Sequence, residues 1–513
     1  MRRAIAIAAA AAAIFTAADA HAANDATLAA RGEYLVRLGD CAACHTAVGG
    51  RPFAGGDAID SPFGAIYAPN ITPDKATGIG AWSDEDFYRA MHDGVGKNGQ
   101  YLYPAFPYQW FSRVTREDVM AIKAYLDTVP AVDAPSRQTR LMFPFNLRIG
   151  LGAWNAAYFR AGPFKPDPAK SAEVNRGAYL VEGLGHCGDC HTPKGAAMEP
   201  IASKAFSGGA VDNWYAPNIT SDVAHGIGGW SDADLAAYLK TGSAPGRGAA
   251  VGPMSQVTRD SLAYLTDEDL RAIVAFLKST PPIADYPETP PSGAVSAHPS
   301  GEGVYLTHCA YCHQPNGKGL ADAVPALDGN GVVRAKGPED VVRVVLGGRL
   351  ASGSYAPMPA VGADMSDDDI AAVVDYVRTA WTNAAPAGTP NGLVGAIRAQ
   401  TRSVLSGSKG GEDACQPGAD APAMTPIVDP EGRIGQILRA MNGATMLQAI
   451  DQLIARAREV TPKAAQADIV NGLVLAYCRV GAADGGLADP DKRRLLNRFS
   501  QLVYTELASN GRD

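Results

Sequence analysis

Three strings in this chain share one spacing: Cys41-Ala-Ala-Cys44-His45, Cys187-Gly-Asp-Cys190-His191 and Cys309-Ala-Tyr-Cys312-His313. Two thiols set three residues apart can form thioethers to a porphyrin edge, and the histidine that follows is then held under the iron as its proximal ligand. These strings hold six of the eight cysteines. A histidine after every pair favours covalent haem over a redox dithiol or a split zinc site. The expectation is three covalently bound haem c groups, attached through Cys41 and Cys44, Cys187 and Cys190, and Cys309 and Cys312. His45, His191 and His313 are then the iron ligands.

A low-spin haem commonly adds a methionine thioether on its other face. Met358, in Tyr355-Ala-Pro-Met358-Pro, follows His313 by 45 residues, and Met254, in Gly252-Pro-Met254-Ser, follows His191 by 63. Both are expected as iron ligands in proline-flanked loops. The first segment differs. In Leu102-Tyr-Pro104-Ala-Phe106-Pro-Tyr108, Phe106 stands 61 residues after His45, where methionine is expected, and phenylalanine cannot ligate iron. Met91 and His92 read as helix core or surface, and Met142 lies further away. The first haem is thus five-coordinate, water-ligated or ligated by another residue.

The elements that position these residues repeat. Tyr67-Ala-Pro-Asn-Ile-Thr72 recurs as Tyr215-Ala-Pro-Asn-Ile-Thr220, and Gly78-Ile-Gly-Ala-Trp82-Ser-Asp as Gly226-Ile-Gly-Gly-Trp230-Ser-Asp, both at an offset of 148. A third, shorter segment lacks these strings. A glycine-bearing helix precedes each motif, at Arg31-Gly32-Glu-Tyr34-Leu35, Arg176-Gly177-Ala-Tyr179-Leu180 and Glu302-Gly303-Val-Tyr305-Leu306. Each segment closes on a helix with a capping-box-like start: Thr115 to Asp118, Thr266 to Asp269, and Ser366 to Asp369. Gly32, Gly177 and Gly303 should let two helices cross closely, against Tyr125, Phe276 and Tyr376. The predicted architecture is all-α.

The 513 residues are too long for one ordinary domain. A net charge of −8 with no Lys/Arg-dense stripe argues against a nucleic-acid partner. Met1-Arg2-Arg3, an Ala/Ile-rich run and Ala20-His21-Ala22 read as a cleaved export signal over residues 1–22. Export agrees with c-type haem, which is attached outside the cytoplasm. Domains are expected at 25–140, 172–283 and 298–383, with a helical C-terminal domain at 393–513; two Pro-rich linkers, Pro281–Ser300 and Asn383–Asn391, lie before and after the third domain. Cys415 and Cys478 are the cysteines outside the motifs. In an exported chain they are expected to pair, a closure worth about 4 kcal/mol in the chain-entropy model. The C-terminal domain reads as a docking module for a partner or the membrane surface.

Taken together, the three C-x-x-C-H strings, the paired Y-A-P-N-I-T and G-I-G-x-W-S strings and the L-Y-P-A-F-P-Y string resemble a known family. It is that of the triheme cytochrome c subunits of periplasmic, membrane-associated dehydrogenases. The resemblance spans about residues 25–385. It implies three class I-like cytochrome c domains in tandem. It also implies a separate dehydrogenase catalytic subunit as electron donor and ubiquinone or a terminal oxidase as acceptor. The location implied is the periplasm, with peripheral attachment to the outer face of the inner membrane. It supports the six cysteines, His45, His191, His313, Met254 and Met358. Phe106 departs from the alcohol and gluconate versions and is closer to the aldehyde and nicotinate ones. No residue reads as catalytic: no Gly-rich dinucleotide fingerprint follows a strand, and no G-x-S-x-G or H-E-x-x-H occurs. Two other readings stay open, a free periplasmic multihaem carrier and a haem enzyme acting through an open first haem.

Overall fold

The computed structural model describes residues 26–47, 49–211, 213–284, 301–320, 324–349, 355, 358, 360–386, 388–407, 426–427, 429, 432–442, 444–464, 466–483, 498–499, 502–503 and 506–507. The export signal, most of the first Pro-rich linker, Cys415 and the Cys478 side chain lie outside the described residues, as does the pairing expected of those two cysteines. The chain forms two compact units. One runs to Asp189 and takes in Asp260–Phe276, and the other comprises Cys190–Arg259 and Leu277 onward. The expected domain 172–283 contributes to both.

Helix dominates, but small antiparallel hairpins interrupt the expected all-α pattern. Ala58–Ser61 pairs with Gly64–Tyr67, which pairs in turn with Arg140–Leu141. Gly209–Val211 pairs with Trp214–Ala216. Each of the first two hairpins ends where a Y-A-P-N-I-T string begins, so these short strands serve to aim that string. Among the described residues no helix is long and apolar enough to cross a membrane.

The close helix crossings form, with one correction. A Cβ on Gly32 would lie 1.9 Å from the Ala121 carbonyl oxygen and 2.8 Å from the Tyr125 Cβ. On Gly177 it would lie 1.9 Å from the Ala272 oxygen and 2.7 Å from the Phe276 Cβ. In the third segment, however, the glycine at the crossing is Gly301. Its Cβ would meet the Ala372 oxygen at 2.5 Å and the Tyr376 Cβ at 3.0 Å, whereas a Cβ on Gly303 meets nothing. Alignment on the tyrosine misplaced the crossing, because Tyr305 is itself fully buried two positions further along than Tyr34 and Tyr179.

The capping boxes are also only half made. Thr115, Thr266 and Ser366 each accept from the N–H of the acid three residues on, yet two of those acids turn elsewhere. Asp118 accepts from Arg31 Nε at 2.7 Å and from the Tyr179 hydroxyl at 2.5 Å. Asp269 accepts from Arg176 Nε at 2.7 Å and from the Tyr34 hydroxyl at 2.6 Å. Each opening helix thus gives its arginine to its own closing helix and its tyrosine to that of the other repeat. The two repeats are clasped reciprocally. Burial, then the carboxylate bond, pushes both phenols up to about 12, so each stays a donor at any physiological pH.

Gly32→Ala and Gly177→Ala should each cost roughly 3 kcal/mol by overpacking, with Gly301→Ala close behind. Gly303→Ala, in an open helical position, should gain up to about 1 kcal/mol. Urea unfolding of the haem-loaded chain followed by circular dichroism ranks the four.

Candidate haem sites

Each motif sits on a short helix: Cys41–His45, Cys187–His191, and Ala310–His313 with Cys309 at its N-cap. The i, i+3, i+4 spacing brings both sulfurs and the imidazole to one side of a single turn. Burial pushes the Cys41 and Cys309 thiols up to about 12 and those of Cys187 and Cys312 up to about 11. A redox dithiol needs the opposite shift, towards thiolate.

The imidazoles are oriented in one way throughout. His45 Nδ1 lies 2.7 Å from the Pro69 carbonyl oxygen, His191 Nδ1 2.7 Å from that of Pro217, and His313 Nδ1 3.0 Å from that of Pro325. A carbonyl can only accept, so Nδ1 carries the proton and Nε2 keeps its lone pair for a metal. Burial disfavours the imidazolium at all three. It lowers His313, the furthest shifted, to about 4, with the Arg349 charge adding to the effect.

This explains the repeated string. Pro69 and Pro217 are its third residues, and the next one fixes the carbonyl. Asn70 Nδ2 donates to Val132 O at 2.8 Å, while its Oδ1 accepts from the Thr72 N–H and hydroxyl at 2.9 and 2.8 Å. Asn218 does the same with Ile283 O and Thr220, at 2.7, 2.8 and 2.7 Å. Both asparagines are buried. The backbone also passes close to the motif: a Cβ on Gly56 would lie 1.8 Å from Cys44 O, and on Gly209 2.7 Å from Cys190 O. Residue type alone does not mark these proline carbonyls as groups that orient a ligand. In the first two segments the repetition itself was their signal. In the third, Pro325 carries no such string.

The donor set fits haem c: paired cysteines, neutral imidazoles with Nε2 unspent, and one unsatisfied donor beside a motif. Trp110 packs on Gly188, whose Cβ would meet its ring at 2.3 Å, and its buried Nε1–H has no hydrogen-bond partner. A porphyrin carboxylate is the kind of acceptor such a donor requires.

The expected axial positions differ among themselves. Met358 is half-buried and pinned, its N–H and carbonyl exchanging bonds with Arg349 at 2.9 and 2.8 Å. Met254 is half-buried too, but it lies in the first turn of helix Gly252–Asp260 and not in a loop, since Pro253 suits a helix start. Phe106 occupies a bend and meets Phe111 edge-on at 5.4 Å. Met91 is buried in helix Asp84–Asp93, His92 stacks on Tyr88 and bonds Asp93, and Met142 is 56 % exposed. Those placements agree with the core and surface readings of Met91 and His92.

The family model described as cytochrome c matches residues 29–130 and 174–281. That of cytochrome c oxidase, cbb3-type, subunit III matches residues 296–377. The chain is 42% identical over 387 residues to the cytochrome c subunit of a quinone alcohol dehydrogenase of Gluconacetobacter polyoxogenes, covering 71% of this chain and 82% of that protein. It is 41% identical over 386 residues to the fructose dehydrogenase cytochrome subunit of Gluconobacter japonicus, covering 69% and 79%. It is 40% identical over 369 residues to a nicotinate dehydrogenase subunit of Pseudomonas putida, covering 70% of this chain and 30% of that one.

The second string also carries a titrating contact. Buried Asp340 accepts from the Tyr215 N–H at 2.9 Å, and burial pushes its carboxyl from 3.8 up to about 7. The folded chain therefore holds this proton more tightly than the unfolded one. Its stabilising effect is complete below pH 3.8 and is lost as pH rises through about 7. Asp340→Asn, which keeps the acceptor oxygen, should raise Tm at pH 8 and change it little at pH 4. Calorimetry at both pH values checks this, and equal shifts would contradict it.

Proposed function

This chain belongs to the family of dehydrogenase cytochrome c subunits, and we propose that it is the three-haem electron-transfer subunit of such a complex. It takes electrons from a separate catalytic subunit and delivers them to ubiquinone or a terminal oxidase. Haem c, when bound, supplies a one-electron iron couple at each site. Cys41 and Cys44, Cys187 and Cys190, and Cys309 and Cys312 would hold it, with His45, His191 and His313 below the iron and Met254 and Met358 opposite the second and third.

The threefold recurrence of a motif helix with its Nδ1 tied to a prolyl carbonyl carries this reading. It fixes ligand orientation three times over, which suits rapid electron exchange with little rearrangement. The domains are 25–140, 172–283, 298–383 and a helical 393–513, after an export signal at 1–22 that directs the chain to the periplasm. Phe106 leaves the first site without a thioether. That favours a distinct potential there, and it is the one observation that supports a haem-enzyme reading.

Residues 134–166 support attachment to a membrane surface. They contain no acid but include Arg137, Arg140, Arg148, Arg160 and Lys165. In this stretch Met142, Phe143, Phe145, Leu147, Ile149 and Tyr158 stand exposed, Phe143 at 77 % and Ile149 at 83 %. Basic residues interleaved with exposed apolar ones fit an anionic lipid face.

Affinity purification of the full chain from membranes tests the assembly. A larger dehydrogenase subunit should elute with it, and one of ethanol, fructose or nicotinate should reduce its haem. A chain recovered alone from the soluble fraction would instead be a free carrier.

A further inference from the structure

Residues beyond 377 lie outside all the family matches. In them, helices Arg433–Ala440, Met446–Val460 and Gln466–Ala483 enclose a core that includes Ile434, Leu453 and Leu473. That core does not close on itself. Val324 is one of its buried members, and Cys312 and Leu320 pack against it. Cys309 packs instead on the third segment's own core. The two attachment cysteines of this motif thus face different cores, whereas Cys44, the second cysteine of the first motif, is exposed.

The contact reaches the iron ligand in two steps. Leu320 and Val324 exchange backbone hydrogen bonds at 2.9 and 3.0 Å, and the Gly319 N–H donates to His313 O at 3.0 Å. Pro325, next in sequence, accepts from His313 Nδ1. After the proline the loop is held within its own segment, by Asn330 on Ala326 O and Asn383 on Leu327 O, both at 2.9 Å. Before the proline it is held by the side chains of Leu320 and Val324, which the C-terminal core takes in. The first two segments hold their strings with the Asn–Thr bonds described above.

We propose that the C-terminal helical block caps the third attachment site. It covers the Cys312 side of the motif and, through Leu320 and Val324, braces the loop that orients His313. The cap rests on the reading that this motif carries haem. It withdraws that edge from soluble redox partners, and by excluding water it disfavours the more positively charged oxidised state, which raises the potential.

Leu473→Asp, in the full haem-loaded chain, places a carboxylate at a fully buried position of the block. Leu473→Ala is the milder companion should the first fail to load haem. Two measurements follow: hydrogen exchange by mass spectrometry and stepwise spectroelectrochemical titration. In whichever variant loosens the block's own amides, those of Leu320 and Val324 should lose protection, while Ile71 and Ile219, in the repeated strings, keep theirs. One midpoint potential should fall and the others hold. Leu320 and Val324 amides that stay protected, or unmoved midpoints, beside a loosened block would overturn the cap. Peptide masses showing no haem on Cys309 and Cys312 of the unaltered chain would instead overturn the three-haem reading, and the cap with it.

Discussion

The hydrogen bond from each histidine Nδ1 to a proline carbonyl is the constraint on which the rest of this structure depends. An imidazole beside two thiols can rotate, protonate or bind through either nitrogen. A carbonyl at 2.7 to 3.0 Å settles the tautomer and the ring plane together. Much of the surrounding architecture exists to deliver that oxygen. Hairpins lead into Pro69 and Pro217, buried asparagines hold the residues after them, and glycines let the chain pass close to the motif. Proline suits the position, because it has no N–H to compete and its φ is fixed.

The same solution is reached by different means in the third segment. There the carbonyl belongs to Pro325, and its loop leans on a helical block outside the family matches. The duplicated pair is held otherwise, by an arginine, an aspartate and a tyrosine in each repeat with the tyrosines exchanged. Such charge-assisted bonds are stronger than neutral ones and are directional. Shared partners also make the two repeats depend on each other for their satisfied polar groups.

What could be read from the sequence divides along a physical line. The motif helices were legible because their chemistry is local: one helical turn sets the spacing of two sulfurs and an imidazole. Helix crossings at Gly32 and Gly177 were legible for the same reason, as one missing side chain permits one close contact. Gly303 was misassigned because a crossing is set by the partner helix, and there the partner's Ala372 and Tyr376 meet Gly301. Asp118 and Asp269 looked like capping residues, yet their carboxylates answer to tyrosines 61 and 235 positions away. Bonds of that range leave no periodic trace. The proline carbonyls were visible only as unexplained repetition, and the cap on Cys312 had no signal at all.

The central claim is that three alike proximal sites carry unlike distal ones, with Met254 and Met358 available at two and Phe106 at the other. The most direct measurement combines a haem count per chain by pyridine haemochrome with the intensity of the near-infrared methionine-to-ferric-iron band. The account predicts three haems and a band worth two of them. Three haems with a band worth three, or fewer than three haems per chain, would contradict it.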